Sequence, residues 1–591
     1  MWTGLKVAVI GGGASGLATL KFLLHAHEYF PIPPIDARLF EADNEIGGTF
    51  VRRVYEDGEL VSSKYLTAFS DFRLPRDAPD FITPATYVQY LKDYATRFGL
   101  WDAINLSAQV ESVHYLGDSK RHIVRVRNGG GLVEWLVDAV AVCSGLNVNP
   151  RIPEIEGINK VPKVLHSSQL KAREQFGSDT NVVVLGAGET AMDMAHLAVT
   201  SPTKSVTICH KGGFFCAPKI IPVPRASSLE EARRNKPVDT SVASLFDTAY
   251  AHPALQRSPL LWFAYDHWIR KMHLLISGTE EGPDQWVGHM SKERKHVDAI
   301  FLVKSDRALP YISAGHRSES LWNKIRTAVL NVPIKDTGGR KIDVMSWPEE
   351  VDDQGFMTVN DGKGVSRRIK PDVVVLATGY DTKFPFLDKS NPTLADTDVR
   401  CVYKHDRVDV GFIGFVRPSI GAIPPLAEMQ AQFWILRLLQ HHYPEQKLHA
   451  RAGYDLFTAK RGVDHESYAY QLALDMGSAP TISFVASKGC KVLYTWAMGS
   501  NFNPKFRLVG PWKWEDGAAE IMATELFDVV KRSGGYVYLA TYTIVPFFVF
   551  GAISLVLYAL LAVLRPFRGL AKAVAKTSTV TENGAEEKRK E

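Results

Sequence analysis

The stretch "VAVIGGGASGLATLKF", residues 7–22, decides how the rest of the chain is read. A buried hydrophobic strand runs into three glycines and then directly into an apolar helix. Between a parallel strand and a helix, such a turn lets a pyrophosphate lie against backbone N–H groups at the positive end of the helix dipole. Gly11 permits the tight turn, Gly13 leaves room for the phosphates and Gly16 lets helix and strand pack, with Ser15 in the same turn. The bare G-x-G-x-x-G pattern also occurs in ordinary turns, so its context carries the reading. "ARLFEA", residues 37–42, supplies a second strand that ends in Glu41, a carboxylate able to accept both ribose hydroxyls of an adenosine. A solvated strand end is the plainer alternative for Glu41.

An echo lies further on. "NVVVLGAGETAMDMAHLA", residues 181–198, repeats strand, glycine turn and helix, with Gly186, Gly188 and Ala191 in the three small positions. Two such folds imply two dinucleotides, because each crevice holds one. The next strand, "SVTICHK", ends in Lys211 where an NAD site would carry a carboxylate. A cation there suits the 2′-phosphate of NADPH, the alternative being a solvated lysine. "AVAVCSGL" (139–146) and "DVVVLATGY" (372–380) read as the two places where the chain crosses between the folds. The expected fold class is α/β: two Rossmann-like dinucleotide-binding domains, for FAD and NADPH, plus a C-terminal transmembrane or membrane-anchoring helix. The FAD domain is assigned to 1–165 and 366–475, and the NADPH domain to 166–365. A C-terminal segment covers 476–532, a membrane helix 536–564 and a polar tail 565–591. Residues 225–330 show no readable motif.

Composition narrows the function. The 591 residues suffice for two or three cored domains, and a net charge of +5 gives no reason to invoke nucleic acid. Five cysteines form neither C-x-x-C nor a metal-ligand spacing, which argues for a reducing compartment and against a dithiol reductase or a metal site. The first strand starts too early for a cleavable signal, so the domains are expected to face the cytosol. From Ser533 to Leu564 no residue is charged, and "YTIVPFFVFGAISLVLYALLAVL" (542–564) reads as a membrane segment. Arg565, Arg568, Lys572 and Lys576 beyond it leave its topology open.

Taken together, these motifs resemble the flavin-containing monooxygenases over nearly all of the chain to about residue 530. "GGGASG" with Glu41 is similar to that family's FAD site, and "EIGGTF" (45–50), with Gly48, Thr49 and Phe50, to its loop over the flavin. Ser62 and "SKYLTAFSDFRLP" (63–75) resemble its segment at the flavin face. "GAGETAMD", with Thr190 and Asp193, resembles its NADPH turn. "GFIGFVRPSIGAIPPLAEMQAQF" (411–433) looks like the helix whose N-terminus approaches the isoalloxazine. That helix is expected from about Leu426, with Glu428 and Gln430 in its first turn. "FRLVGPWKW" (506–514) is similar to a C-terminal block of the membrane-bound eukaryotic members, which places the protein at the endoplasmic reticulum.

Three positions depart from the family pattern. Val61 stands where an asparagine is usual, His166 alone survives of a fingerprint around "KVPKVLHSSQL" (160–170), and Lys211 replaces an arginine. The resemblance implies that NADPH reduces FAD, that reduced flavin and O2 form a C4a-hydroperoxide, and that a soft nucleophile, an amine or a sulfide, lipophilic if it is drawn from the membrane, takes the terminal oxygen. Positioning and exclusion of water then matter more than an acid–base pair, and no catalytic side chain is singled out. A Baeyer–Villiger ketone monooxygenase and an NADPH oxidase releasing hydrogen peroxide remain open as alternatives.

Overall fold

A computed structural model of the chain describes residues 4–211, 334–361, 365–418, 420–444, 463–532 and 546–564, with short pieces between 214 and 329 and the single residues 534 and 544. The polar tail and most of 225–330 lie outside these. The elements that matter begin with β1 (Lys6–Ile10), α1 (Ala14–Leu24), β2 (Asp36–Phe40) and α2 (Pro84–Arg97). Next come β3 (Ile104–Asn105), β4 (Gln109–Leu116), β5 (Arg121–Asn128), β6 (Gly131–Val137), β7 (Ala139–Val142) and β8 (Lys163–His166). Then follow β9 (Asn181–Leu185), α3 (Glu189–Val199), β10 (Ser205–His210), β11 (Ile342–Ser346), β12 (Val373–Leu376), β13 (Val410–Phe412), α4 (Ile423–His442) and α5 (His465–Met476).

Two five-stranded parallel sheets organise these elements. The first has the order β13-β7-β1-β2-β3 and the second β11-β10-β9-β12-β8. In each, the strand before the glycine turn is central. β1 and β9 therefore read as continuous Val and Ile runs, as strands covered on both faces must. β8 and β12 both lie in the second sheet, so the chain leaves the first fold before Lys163 and returns after Leu376, a shift from the expected boundaries at 166 and 366. The two crossings meet: Asn149–Pro150 pairs antiparallel with Tyr380–Asp381. An antiparallel sheet, β4-β5-β6, is attached to the first fold.

Packing around β1 explains why α1 is apolar on nearly every side. It lies between the first sheet and α4, and its buried residues run from Ala14 to Leu23. α4 starts at Ile423 with Pro424 and Pro425 in its first turn, earlier than expected, since proline is tolerated where a helix N–H has no partner. Glu428 and Gln430 consequently sit in its second turn, and both are fully buried. The C-terminal block is no appendage: Trp512 is enclosed by Phe22, Tyr29 and Phe30, with ring centroids at 5.2, 5.2 and 4.9 Å, and its Nε1 donates to Gln432 O at 3.1 Å.

The helix expected to span or anchor to a membrane over 536–564 is not found. Among the described residues no helix is long and apolar enough to cross a membrane. What is described there is a π-helical turn, Pro546–Phe550, and helical residues 551–564. The latter extend about 21 Å at 1.5 Å per residue, against the roughly 30 Å of a hydrocarbon core. Residues 536–543 and 545 of the expected segment lie outside the described residues. Part of the apolar surface is used internally: Phe550, Ile553 and Leu557 pack with Leu255, and the His252 N–H donates to Ser554 Oγ at 3.1 Å.

Candidate functional site: two glycine turns and the segment between them

The first turn is shaped by close approaches that only glycine permits. Gly11 has φ +111°, and a Cβ there would stand 2.6 Å from Cys143 O on the strand that crosses to the second fold. A Cβ on Gly16 would lie 1.9 Å from Gly11 O. Gly13 is different, because open space faces its Cβ position. It caps α1 with no side-chain hydrogen bond. The second turn repeats the scheme: Gly186 has φ +128° with Ala377 O 2.3 Å from its Cβ position, Gly188 caps α3 and faces open space, and Ala191 is fully buried. Two helix N-termini, each fronted by open space at the Cβ position of its glycine, fit the pyrophosphates of two dinucleotides.

Glu41 sits beside the first cradle. Its Oε2 accepts the Gly12 N–H at 2.6 Å and its Oε1 the Asp43 N–H at 2.9 Å. Burial raises its pKa against the opposing pull of the Gly12 N–H. Each oxygen keeps a lone pair for a ribose hydroxyl. Gly48, with φ +55°, presses on the same turn, its Cβ position being 3.3 Å from Gly13 Cα. Thr49 opens the short helical turn that follows, while the Phe50 ring packs edge-on against Tyr87 at 4.6 Å.

The 411–433 block closes on this turn from the other side. A Cβ on Gly414 would meet Ser15 Oγ at 2.1 Å, and the Gly414 N–H donates to Gln430 Oε1 at 2.8 Å. Gln430 Nε2 donates to Tyr468 Oη at 2.7 Å, so this amide fixes the block. Ser62 Oγ donates to Gly421 O at 2.7 Å, bringing the flavin-face segment to the N-terminus of α4. Val61, half-buried beside it, has no polar side-chain atom to offer. The structure thus brings Gly11, Gly13, Ser15, Gly16, Glu41, Gly48 and Gln430 around one turn and ties Ser62 to the N-terminus of α4.

The second group gathers around α3. Thr190 lies in its first turn. Asp193, 7% exposed, accepts hydrogen bonds from Tyr55 Oη and Ser305 Oγ. Lys211 is exposed at the end of β10, its Nζ 4.6 Å from the ring centroid of Trp347, which follows the neighbouring β11. His166 is packed: its Nε2 lies 3.1 Å from Gly379 O and its ring meets Tyr380 edge-on at 5.2 Å, and burial lowers its pKa. Sequence reading missed Tyr55, Trp347 and Ser305. Each meets its partner through the tertiary fold, Trp347 lying 136 residues from Lys211, and Ser305 and Tyr55 lying 112 and 138 residues from Asp193, and no local pattern marks such pairs.

The sequence model for the flavin-binding monooxygenase-like family matches residues 4–222 and 356–565. The monooxygenase cfoE of Aspergillus candidus is 46% identical over 589 residues, covering 95% of this chain and 100% of its own length. Dimethylaniline monooxygenase 2 (N-oxide-forming) of Pan troglodytes is 25% identical, covering 89% and 92%. Among solved structures, the S-allyl-L-cysteine S-oxygenase of Allium sativum superposes with a TM-score of 0.50 at 17% identity, over 89% of this chain and 99% of that one, a likeness of fold alone. The chain belongs to the flavin-binding monooxygenase-like family and is a flavin-dependent monooxygenase.

Proposed function

We propose that the protein uses NADPH and O2 to transfer one oxygen atom to a soft nucleophile, an amine nitrogen or a sulfide sulfur. The observation that carries this is the pair of equally built cradles in a chain of this family, one beside a carboxylate and the other ending its next strand in a cation. The likeness to an N-oxide-forming dimethylaniline monooxygenase supports the choice of an amine. On this reading Gly11, Gly13, Ser15 and Gly16 would hold the FAD pyrophosphate and Glu41 its ribose. Gly186, Gly188 and Thr190 would hold NADPH, with Lys211 at the 2′-phosphate. The cofactors supply the hydride and the activation of oxygen.

The protein's own residues supply position and charge. α4 carries no side-chain cap at Ala422, and its N-terminus stands beside Ser62. The positive end of that 20-residue helix would therefore stabilise negative charge developing at the flavin face. Gly48 and Gly414 approach the first turn from two sides, so a cofactor seated there would be sheltered from water between them. Val61 favours a second reading, release of hydrogen peroxide, because it leaves that face one polar contact short of the family pattern.

One experiment separates the two. The FAD-loaded protein is reduced anaerobically with NADPH and mixed rapidly with O2, with and without a tertiary amine or a sulfide. N-oxide or sulfoxide formed in step with NADPH consumed supports oxygenation, whereas stoichiometric hydrogen peroxide with every nucleophile tried would overturn it.

A further inference from the structure

One short segment touches both cradles. Its start lies on the first: the Gly47 N–H donates to Gly12 O at 3.0 Å, and Gly48 abuts Gly13. After the helical turn Thr49–Arg52, Arg53 donates to Asn147 O at 3.1 Å and to Val148 O at 2.8 Å, on the first crossing. Its far end is clamped to the second fold. Tyr55 Oη donates to Asp193 in the second turn of α3. Glu56 accepts from the Arg173 N–H and Nε, both at 2.8 Å, and Asp57 pairs with the same guanidinium. Glu59 accepts from Lys219 Nζ at 2.6 Å and from Arg307 Nη2 at 2.7 Å.

The chemistry at α3 gives this segment a task. Two acids, Glu189 and Asp193, stand in the first two turns of the helix whose N-terminus receives an anionic dinucleotide, and unattended carboxylates there would repel it. Both are held by donors: Glu189 Oε2 accepts the Ser305 N–H at 2.7 Å, and Asp193 accepts from Ser305 Oγ and Tyr55 Oη. Of these donors, Tyr55 alone belongs to the segment that also lies on the first cradle. FAD seated at Gly13 fixes Gly48, which fixes the position from which Tyr55 reaches Asp193.

We propose that residues 47–59 couple the two nucleotide sites, with Tyr55 the positioning residue through which a seated FAD favours NADPH binding and the reverse. The proposal rests on the assignment of FAD to the first cradle and NADPH to the second. Linkage requires the effect to be reciprocal, and couplings of this kind run from roughly 5-fold to 150-fold.

The test follows FAD release from the FAD-loaded protein by the fluorescence of freed flavin on dilution, with and without saturating NADP+. In the wild type NADP+ is expected to tighten FAD by at least about fivefold. Tyr55→Phe, which removes a single oxygen, is expected to bring that ratio close to one while FAD affinity without NADP+ stays within about twofold. Asp193→Asn keeps an acceptor for the Tyr55 hydroxyl and is expected to retain most of the coupling. An unchanged ratio in Tyr55→Phe, or no coupling in the wild type, would overturn the proposal. Equal loss in both variants with a lowered melting temperature would show general loosening of α3 and overturn the assignment to Tyr55. Failure of NADP+ to bind the FAD-loaded protein would overturn the cofactor reading itself, and the coupling with it.

Discussion

At the scale of single residues, Gly11 and Gly186 separate the two cofactors experimentally. Each has a positive φ, and each has a carbonyl oxygen within 2.6 Å of its Cβ position, so alanine at either costs strain of about 1–3 kcal/mol, up to roughly a hundredfold in affinity. Gly11→Ala is expected to purify with little FAD. Gly186→Ala is expected to stay yellow but to raise the KM for NADPH about tenfold or more. Val61→Asn is expected to lower the share of consumed NADPH that emerges as hydrogen peroxide, measured by a peroxidase-coupled assay against total NADPH oxidation. Lys505 offers a test of pH dependence. It is fully buried and donates to Trp496 O and Gly499 O at 2.8 Å each, and burial pushes its pKa down from 10.5 to about 7 against the pull of Glu466. Between these values the unfolded chain holds a proton that the folded chain has released. Stability therefore rises with pH through this window, by about 1.4 kcal/mol per unit, and the cost is complete below pH 7. Lys505→Met is expected to gain on the wild type in melting temperature as pH is lowered from about 10 to about 7. A constant difference over that range would show that the folded protein keeps the lysine charged.

At the scale of elements, one buried ionic cluster joins pieces that the sequence keeps far apart. Lys21 of α1 pairs with Asp71 at 2.6 Å, and Arg507 reaches Asp71 at 3.1 Å, Ser70 Oγ at 2.7 Å and Trp512 O at 2.5 Å. Glu428 of α4 accepts from the Ser70 N–H and Oγ and from Asn503 Nδ2, and its pKa is raised by burial and by Asp71. Removing one member of such a cluster leaves a charge without its partner, at a cost of about 3–5 kcal/mol. Arg507→Ala is expected to lose stability of that order in urea denaturation, and Arg507→Lys to recover only part, since the four acceptors of Arg507, on Asp71, Ser70, Trp512 and Tyr29, exceed the three N–H donors of an ammonium. The opposite lesson comes from residues 546–564. Their hydrophobicity alone argues for a membrane helix, but Leu255 and the His252 N–H take part of their surface, and such contacts are not visible in a hydropathy average.

At the scale of the whole molecule, the C-terminal block is part of the first core. Trp512 fills the space between Phe22 and Phe30, and Arg73 holds Glu525 through two bonds at 3.1 Å. A chain ending at Gly499 is expected to be insoluble, whereas one ending at Arg532 is expected to fold with bound FAD; limited proteolysis and flavin content distinguish them. Both glycine turns, their strands and helices and the acidic partner of the first were legible in the sequence, because strand periodicity and the intolerance of tight turns for a Cβ act over a few neighbouring residues. The positions of the crossings were legible too, although each sheet boundary fell some residues from its expected place. What only the tertiary structure decided is where long-range partners go: Tyr55 to Asp193, Lys211 to Trp347, Gln430 to Gly414, Trp512 into α1. These contacts depend on chain segments brought together by the burial of common apolar surface, and that burial is indifferent to sequence separation, so local pattern carries no record of it.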